Sequence, residues 1–322
     1  MKPSIFVTRR IPQAGLDLLE QHFEITLNEE DRVLEKQEIL KGIEGKDALL
    51  CLLTDSIDAE VIHANEKLRV ISNYAVGYNN IDIAAATSRK LPVCNTPGVL
   101  TETTADLTWA LLFSTARRVV ESDNYLRAGK FHGWGPMLLL GVDIFEKTLG
   151  IVGMGRIGSA VAKRAAGFRM KILYTGEENN TEIEKSCNAH RVDMNELLRE
   201  SDFISLHVPL TNETHHMIGA DQFHMMKNSA ILINTARGPI VDEKALVEAL
   251  RNKEIAGAGL DVFEAEPALA PGLAELDNTV LLPHLGSATI ETRSKMATLA
   301  AKNAIAIFQG ERPEAMVNPE VL

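Results

Sequence analysis

The stretch Thr148-Leu149-Gly150-Ile151-Val152-Gly153-Met154-Gly155-Arg156-Ile157-Gly158 decides how this chain is read. An apolar run stops at G-x-G-x-x-G and continues into a helix-compatible segment, Ser159 to Gly167. In a strand–turn–helix that binds a dinucleotide each glycine has a steric task. Gly153 permits the tight turn, Gly155 lets the backbone approach a pyrophosphate, and Gly158 lets the helix pack close to the sheet. The helix N-terminus then offers N–H groups and a positive dipole end to the phosphates. The bare pattern also occurs in ordinary glycine-rich turns. Here a second strand-like run, Lys171-Ile172-Leu173-Tyr174, follows at the distance a βαβ unit requires. A dinucleotide site is predicted.

The same alternation extends in both directions. Upstream, Ser4 to Thr8, Phe23 to Leu27, Ala48 to Leu53, Val70 to Tyr74 and Leu91 to Asn95 read as short buried strands, with a helix over Ile11 to His22. Such runs separated by helical periods indicate a parallel sheet with crossover helices. A long helix is expected from Ala105 to Glu121 or beyond, with Thr101-Glu102-Thr103-Thr104 as its capped start, followed by an irregular loop from Phe131 to Asp143. Downstream of Lys147 the βα units repeat to Val280–Leu282 and supply about six strands, enough for a complete dinucleotide-binding sheet. The last helix, Glu291 to Gln309, has no strand left to serve there and is expected to return to the N-terminal lobe. The predicted architecture is α/β with two Rossmann-like lobes and a cleft between them. A doubly wound parallel dinucleotide-binding domain, 101–287, is inserted in a smaller flavodoxin-like substrate-binding domain, 1–100 plus 288–322.

A chain of 322 residues is long enough for two such cores. Its formal charge of −11 argues against nucleic acid or an anionic membrane as partner. Three cysteines without C-x-x-C spacing fit a reducing compartment, with no disulfide framework and no metal site expected; Cys51 and Cys94 read as core residues. The start Met1-Lys2-Pro3-Ser4 reads directly into a strand, and no apolar run reaches bilayer-spanning length. A cytoplasmic protein is expected.

Ligands of such folds bind beyond the carboxyl ends of the strands. Three chemically rich strand ends lie there: Asn234-Thr235-Ala236-Arg237-Gly238, the acids Asp261, Glu264 and Glu266, and Pro283-His284-Leu285-Gly286-Ser287. An arginine, a carboxylate and a histidine beside a nicotinamide suffice to reduce a 2-oxo acid. Arg237 would grip the substrate carboxylate in a bidentate fork. His284 would give the proton to the carbonyl oxygen, and a carboxylate would orient the imidazole and favour its charged form. Spacing alone leaves Glu264 and Glu266 both open, and leaves Asp261 to orient a carboxamide or to cap a turn. His63, His190 and His224 read as surface residues. His207-Val208-Pro209 ends another strand, and the backbone there, Val208 and Pro209 included, is expected to line the cofactor without the His207 ring taking part.

At these residues the chain resembles the D-isomer-specific 2-hydroxyacid dehydrogenases, nearly end to end. Besides the glycine fingerprint, the resemblance is carried by Val76-Gly77-Tyr78-Asn79-Asn80-Ile81-Asp82, Asn95-Thr96-Pro97-Gly98, Asn234-Thr235-Ala236-Arg237-Gly238, Gly259-Leu260-Asp261-Val262-Phe263 and Pro283-His284-Leu285-Gly286-Ser287. It is closest to the glyoxylate/hydroxypyruvate reductase and 2-ketogluconate reductase branch. The resemblance implies Arg237, Glu266 and His284 as the catalytic set, which selects Glu266 over Glu264. It implies that backbone amides of Val76 and Gly77 hold the substrate carboxylate together with Arg237. It implies that Thr104, Arg156, Ile157, Thr235, Ala236, Asp261, His284 and Gly286 line the cofactor. A homodimer formed through the cofactor domains, with the loop around Trp134 reaching toward the partner, is implied as well. The expected reaction is NAD(P)H-dependent reduction of glyoxylate, hydroxypyruvate or 2-ketogluconate to the D-2-hydroxy acid. A nucleotide-sensing corepressor of the same fold and a D-3-phosphoglycerate dehydrogenase are the competing readings.

One departure concerns the cofactor. After Tyr174 the family usually places an aspartate, or a Ser/Ala-Arg pair where the phosphorylated cofactor is used; here the sequence is Thr175-Gly176-Glu177-Glu178-Asn179. Glu177 lies 19 positions after Gly158, near the spacing at which an acid meets the adenosine ribose. No arginine or lysine occurs between Tyr174 and Glu184 to receive a 2′-phosphate. NAD is therefore the expected cofactor, with NADP as the alternative, and the preference for NADH is set at roughly ten- to a hundredfold.

Overall fold

The computed structural model describes residues 2–322. The chain folds into two compact units: one runs to Leu100 and resumes at Ser287, and the other spans Thr101–Gly286. In the first unit the elements alternate as β1 (Ser4–Val7), α1 (Gln13–His22), β2 (Glu24–Leu27), α2 (Lys36–Ile43), β3 (Ala48–Leu52), α3 (Ala59–His63), β4 (Val70–Tyr74), α4 (Ile83–Ser88) and β5 (Val93–Cys94). The strands pair in parallel in the order β2-β1-β3-β4-β5, the flavodoxin-like order expected from the sequence. Along β1, Ile5 and Val7 enter one core and Phe6 the other; along β3, Leu50 and Leu49 divide in the same way. A sheet covered on both faces needs apolar residues at both parities, which is why these strands read as continuous runs.

The second unit begins with two helices, α5 (Thr101–Ala116) and α6 (Val119–Arg127). It continues as β6 (Thr148–Val152), α7 (Arg156–Ala165), β7 (Lys171–Thr175), α8 (Thr181–Cys187), β8 (Ala189–Arg191), α9 (Met194–Glu200) and β9 (Phe203–Leu206). Then come α10 (Ala220–Met225), β10 (Ile231–Asn234), α11 (Glu243–Arg251), β11 (Gly257–Leu260) and β12 (Thr279–Leu281). The seven strands are parallel in the order β12-β11-β10-β9-β6-β7-β8. Strand order reverses at β6, whose neighbours are β7 and β9, and it is at the carboxyl ends of the strands beside such a switch point that folds of this kind bind their ligands. The final helix, α12 (Ile290–Gln309), belongs to the first unit: it packs on α1 and β4, and the Ser72 hydroxyl donates to the Ala300 carbonyl at 2.8 Å. Among the described residues no helix is long and apolar enough to cross a membrane.

Two expectations are corrected. The second sheet has seven strands rather than about six, the short strands β8 and β12 forming its two edges. The single long helix is two. Thr101 to Thr104 lie inside its first turn rather than before it, and the helix stops at Ala116. The cause is local. The N–H of Val142 donates to the Ala116 carbonyl at 2.9 Å, and Gly141 lies so close that a Cβ there would meet that oxygen at 2.3 Å. Arg118 then takes a left-handed backbone, φ 52°, and its guanidinium pairs with Glu121 at 2.7 Å to start α6.

Candidate active site

The turn after β6 fits the backbone of a bound dinucleotide. Gly153 has φ +96°, a conformation glycine adopts without the Cβ penalty, and a Cβ there would sit 2.8 Å from the carbonyl of His207. A Cβ on Gly158 would lie 2.1 Å from the Gly153 oxygen, so the start of α7 is closed against the turn. Gly155 is different: among the described residues beyond its own chain neighbours no atom comes within 4 Å of its Cβ position. The N-cap of α7 is this same Gly155, and no side chain caps the helix. An open glycine at an uncapped helix N-terminus is what a pyrophosphate requires. Arg156 is exposed on the first turn, and Ile157 packs partly into the core beneath.

The loop after β9 closes one side of this turn. His207 donates its N–H to the Val152 carbonyl at 2.7 Å, and Val208 is the side chain that a Cβ on Gly153 would strike at 2.9 Å. The Pro209 carbonyl is held by Thr214 Oγ1 at 2.7 Å. Burial pushes His207 down to about 3, and its Nε2 is paired with Ser205 Oγ at 2.8 Å, so this ring is neutral at physiological pH. Glu177 and Glu178 follow β7 on an exposed turn.

The three loops after β10, β11 and β12 bring together the remaining residues singled out in this unit. After β10, the Asn234 side chain accepts from the Ala236 N–H at 3.0 Å and donates to the Arg237 carbonyl at 2.9 Å, which fixes the Thr235-Ala236-Arg237 turn. Thr235 is buried, with its hydroxyl 2.9 Å from that of Thr108 on α5. Gly238 touches the next loop: a Cβ there would fall 1.9 Å from the Phe263 carbonyl. After β11, Glu266 accepts the Phe263 N–H through Oε1 at 3.0 Å and pairs through Oε2 with His284 Nδ1 at 2.9 Å. Burial acts to raise the Glu266 carboxyl, but His284, the Phe263 amide and the nearby Arg237 outweigh it, and the group is held below its ordinary value. Burial lowers the Arg237 guanidinium, with the Glu266 charge opposing.

Glu264 goes elsewhere. Its Oε1 lies 2.7 Å from His216 Nε2, and its N–H donates to Glu243 at 2.6 Å, so geometry as well as resemblance separates it from Glu266. His215, stacked on His216, completes a group whose ligating atoms lie within 4.8 Å of one another.

Asp261 and His284 depend on each other. Asp261 is buried and accepts the N–H groups of Leu285 at 2.6 Å and Gly286 at 2.8 Å, while its carbonyl accepts the His284 N–H at 2.9 Å. Thr104 Oγ1 donates to the Gly286 carbonyl at 3.0 Å. Of the two options the sequence left for Asp261, the turn cap is the one these contacts describe. Thr108 and Asn234 were not singled out from sequence, although Thr104 and Thr108, four residues apart on one helix, share the face that meets both loops.

Val76 and Gly77 lie in the first unit, beyond the carboxyl end of β4. Asn95 Nδ2 donates to the Val76 carbonyl at 2.8 Å and Asn73 Nδ2 to the Gly77 carbonyl at 3.0 Å. The Asn95 bond fixes the peptide plane that carries the Gly77 N–H, and the Thr96 N–H, which donates to the Ala75 carbonyl at 2.8 Å, fixes the plane that carries the Val76 N–H; these two N–H groups are the candidates for gripping a carboxylate.

Residues 109–286, more than half of the chain, match the D-isomer specific 2-hydroxyacid dehydrogenase, NAD binding domain. The chain belongs to the D-isomer-specific 2-hydroxyacid dehydrogenase family. It is 55% identical to a glyoxylate reductase of Korarchaeum cryptofilum over 325 residues, covering 100% of this chain and 98% of the relative. Among solved structures, a glyoxylate reductase from Paecilomyes thermophila is 33% identical, with a TM-score of 0.88 and 99% of each chain covered. An NADPH-dependent glyoxylate/hydroxypyruvate reductase from Sinorhizobium meliloti, in complex with NADP and malonate, is 31% identical with a TM-score of 0.87, over 99% of this chain and 98% of that one.

Asp261→Asn keeps the volume but places an NH2 group against one of two buried amides. It is expected to lower stability by about 1–3 kcal/mol, read as a fall in the urea midpoint. An unchanged midpoint would show that the 285–286 turn is held by other contacts.

Proposed function

We propose that this chain reduces glyoxylate, hydroxypyruvate and related small 2-oxo acids such as 2-ketogluconate to D-2-hydroxy acids, with NADH as hydride donor and NADPH as the alternative. The observation that carries this reading is the 2.9 Å bond between Glu266 and His284 in the unit that also holds the open Gly155 turn. The names of the full-length relatives support it. The bound nicotinamide supplies a hydride to the carbonyl carbon. Glu266 engages Nδ1 of His284, so Nε2 is the nitrogen that gives the proton to the carbonyl oxygen, and takes it back in oxidation. Arg237 grips the substrate carboxylate through its planar fork, and the amides of Val76 and Gly77 receive it from the backbone. Thr104, Arg156, Ile157, Val208, Pro209, Thr235, Ala236, Asp261 and Gly286 line the dinucleotide. In this reading the inserted unit binds cofactor and carries Arg237, Glu266 and His284, and the discontinuous unit supplies the amides of Val76 and Gly77 to the substrate.

Two further assignments accompany the reaction. Eight of the twelve large apolar residues that are exposed among the described residues fall between Val119 and Phe145, with Trp134 85% and Met137 77% exposed. A patch of that density supports a homodimer formed through this segment. The three cysteines are all thiols, two of them buried, which supports a reducing, cytoplasmic location.

His284→Ala is expected to lower kcat by about 10²–10⁴ while the dissociation constant for NADH stays near wild type; near-normal turnover in the folded variant would remove His284 from the mechanism. Glu266→Gln removes the carboxylate that engages Nδ1 of His284 and should lower kcat by about tenfold or more while KM for glyoxylate changes little, and an unchanged kcat would leave Glu266 without a role. Arg237→Lys keeps charge but loses the fork. Its KM for glyoxylate should rise at least about tenfold, with Arg237→Ala worse, and wild-type kcat/KM in both would overturn the assignment. Sedimentation of a Trp134→Asp, Met137→Asp double variant should show monomer where the unaltered chain shows dimer.

A further inference from the structure

The turn that follows β7 is held by a residue well outside it. Arg191, the last residue of β8, donates from Nε to the Gly176 carbonyl at 3.1 Å and from Nη2 to the same oxygen at 2.6 Å. The same Nη2 donates to the Glu177 carbonyl at 3.0 Å, and Nη1 donates to Asn179 Oδ1 at 3.1 Å. Asn180 ties the other end of the turn to the glycine fingerprint, through Nδ2 to the Met154 carbonyl at 3.2 Å and to Ser159 Oγ at 3.0 Å. The turn is thus clamped from both sides. The side chains of Glu177 and Glu178 are left exposed on it.

Donor arithmetic decides what Arg191 can do. A guanidinium has five N–H groups in a fixed fork. Four contacts to uncharged oxygens of the turn occupy most of them, and the fork faces the turn rather than presenting itself to an incoming anion. The segment 174–184 contains no arginine or lysine, and the acids at 177 and 178 stand exposed on the turn.

We propose that Arg191 is a positioning residue that fixes the 176–179 turn, so that Glu177 meets the adenosine ribose and a 2′-phosphate is refused. The inference rests on the dinucleotide reading above and names the device that sets its choice of cofactor. A receptor for the 2′-phosphate would use the same residue type with the opposite consequence, and the two roles separate on measurement.

The test is binding of NADH and of NADPH to the full chain without substrate, by titration calorimetry, together with steady-state kinetics on glyoxylate. The unaltered chain is expected to bind NADH roughly ten- to a hundredfold more tightly than NADPH. Arg191→Leu should raise both Kd and KM for NADH by about tenfold while kcat changes by less than about twofold. Arg191→Lys, with charge but no fork, should recover only part of the loss. Glu177→Arg should move discrimination toward NADPH in a chain whose Arg191 is intact. The proposal is overturned if Arg191→Leu weakens NADPH more than NADH, which makes Arg191 a phosphate receptor, or if NADH binding is unchanged. It is equally overturned if the unaltered chain binds NADPH as tightly as NADH. Failure of the unaltered chain to bind either dinucleotide would instead sink the parent reading of the β6 turn.

Discussion

Asp261 sits at the end of β11 with its carboxylate inside the protein, where burial raises its pKa. Such a group persists because its charge is met by hydrogen bonds, here the amides of Leu285 and Gly286. The consequence reaches His284. Between the Asp261 carbonyl, which takes its N–H, and the capped turn that follows, His284 is forced into a left-handed backbone with φ 56°. A non-glycine residue in that region costs about 1–3 kcal/mol and persists where the surroundings over-determine it. The strain aims the imidazole at Glu266.

The geometry of the candidate site also follows from the sheet. Arg237, Glu266 and His284 leave the ends of β10, β11 and β12, which are neighbours in the sheet in that order. Parallel strands lie about 4.8 Å apart and end on the same side. Three successive strand ends therefore deliver three side chains into one region, although helices and loops separate them along the chain. Gly238, pressed against the Phe263 backbone, keeps two of those loops in register.

Much of this was legible from residue order. The glycine fingerprint announced its own geometry, since each glycine's task is a matter of sterics within eleven residues. Strand ends rich in Arg, Glu and His were readable because ligand chemistry collects at carboxyl ends. What escaped depends on long-range contacts. The division between α5 and α6 is made by Gly141 and Val142, more than twenty residues beyond Ala116, so the helical pattern itself carries no sign of it. Arg191 escaped for the same reason: a search for cations within the turn cannot see one that arrives from the next strand. Asp261 was left between two roles because a carboxylate's partners here are backbone amides, which every residue has. Spacing alone did not separate Glu264 from Glu266; the family resemblance did, and His216, distant in sequence, takes up Glu264 in the structure.

The placement of α12 has a consequence for how the polypeptide is made. The first sheet, β1 to β5, is synthesised before the second unit, yet one of its two faces is covered by α1 together with α12 at the far end of the chain. Ala297, Ala300, Ala301, Ala304, Ile305 and Ile307 of that helix complete a core whose other buried members, Ile5 to Cys94, emerge well before the second unit is made. Residues 101–286, by contrast, are continuous and leave the ribosome as one piece. Vectorial synthesis therefore completes the second unit first, while the N-terminal sheet waits with an apolar face exposed until the last helix arrives. Nascent chains that stall after Gly286 present that face to whatever else is in the cell, so translational pausing in the final stretch carries an aggregation hazard that the finished fold conceals.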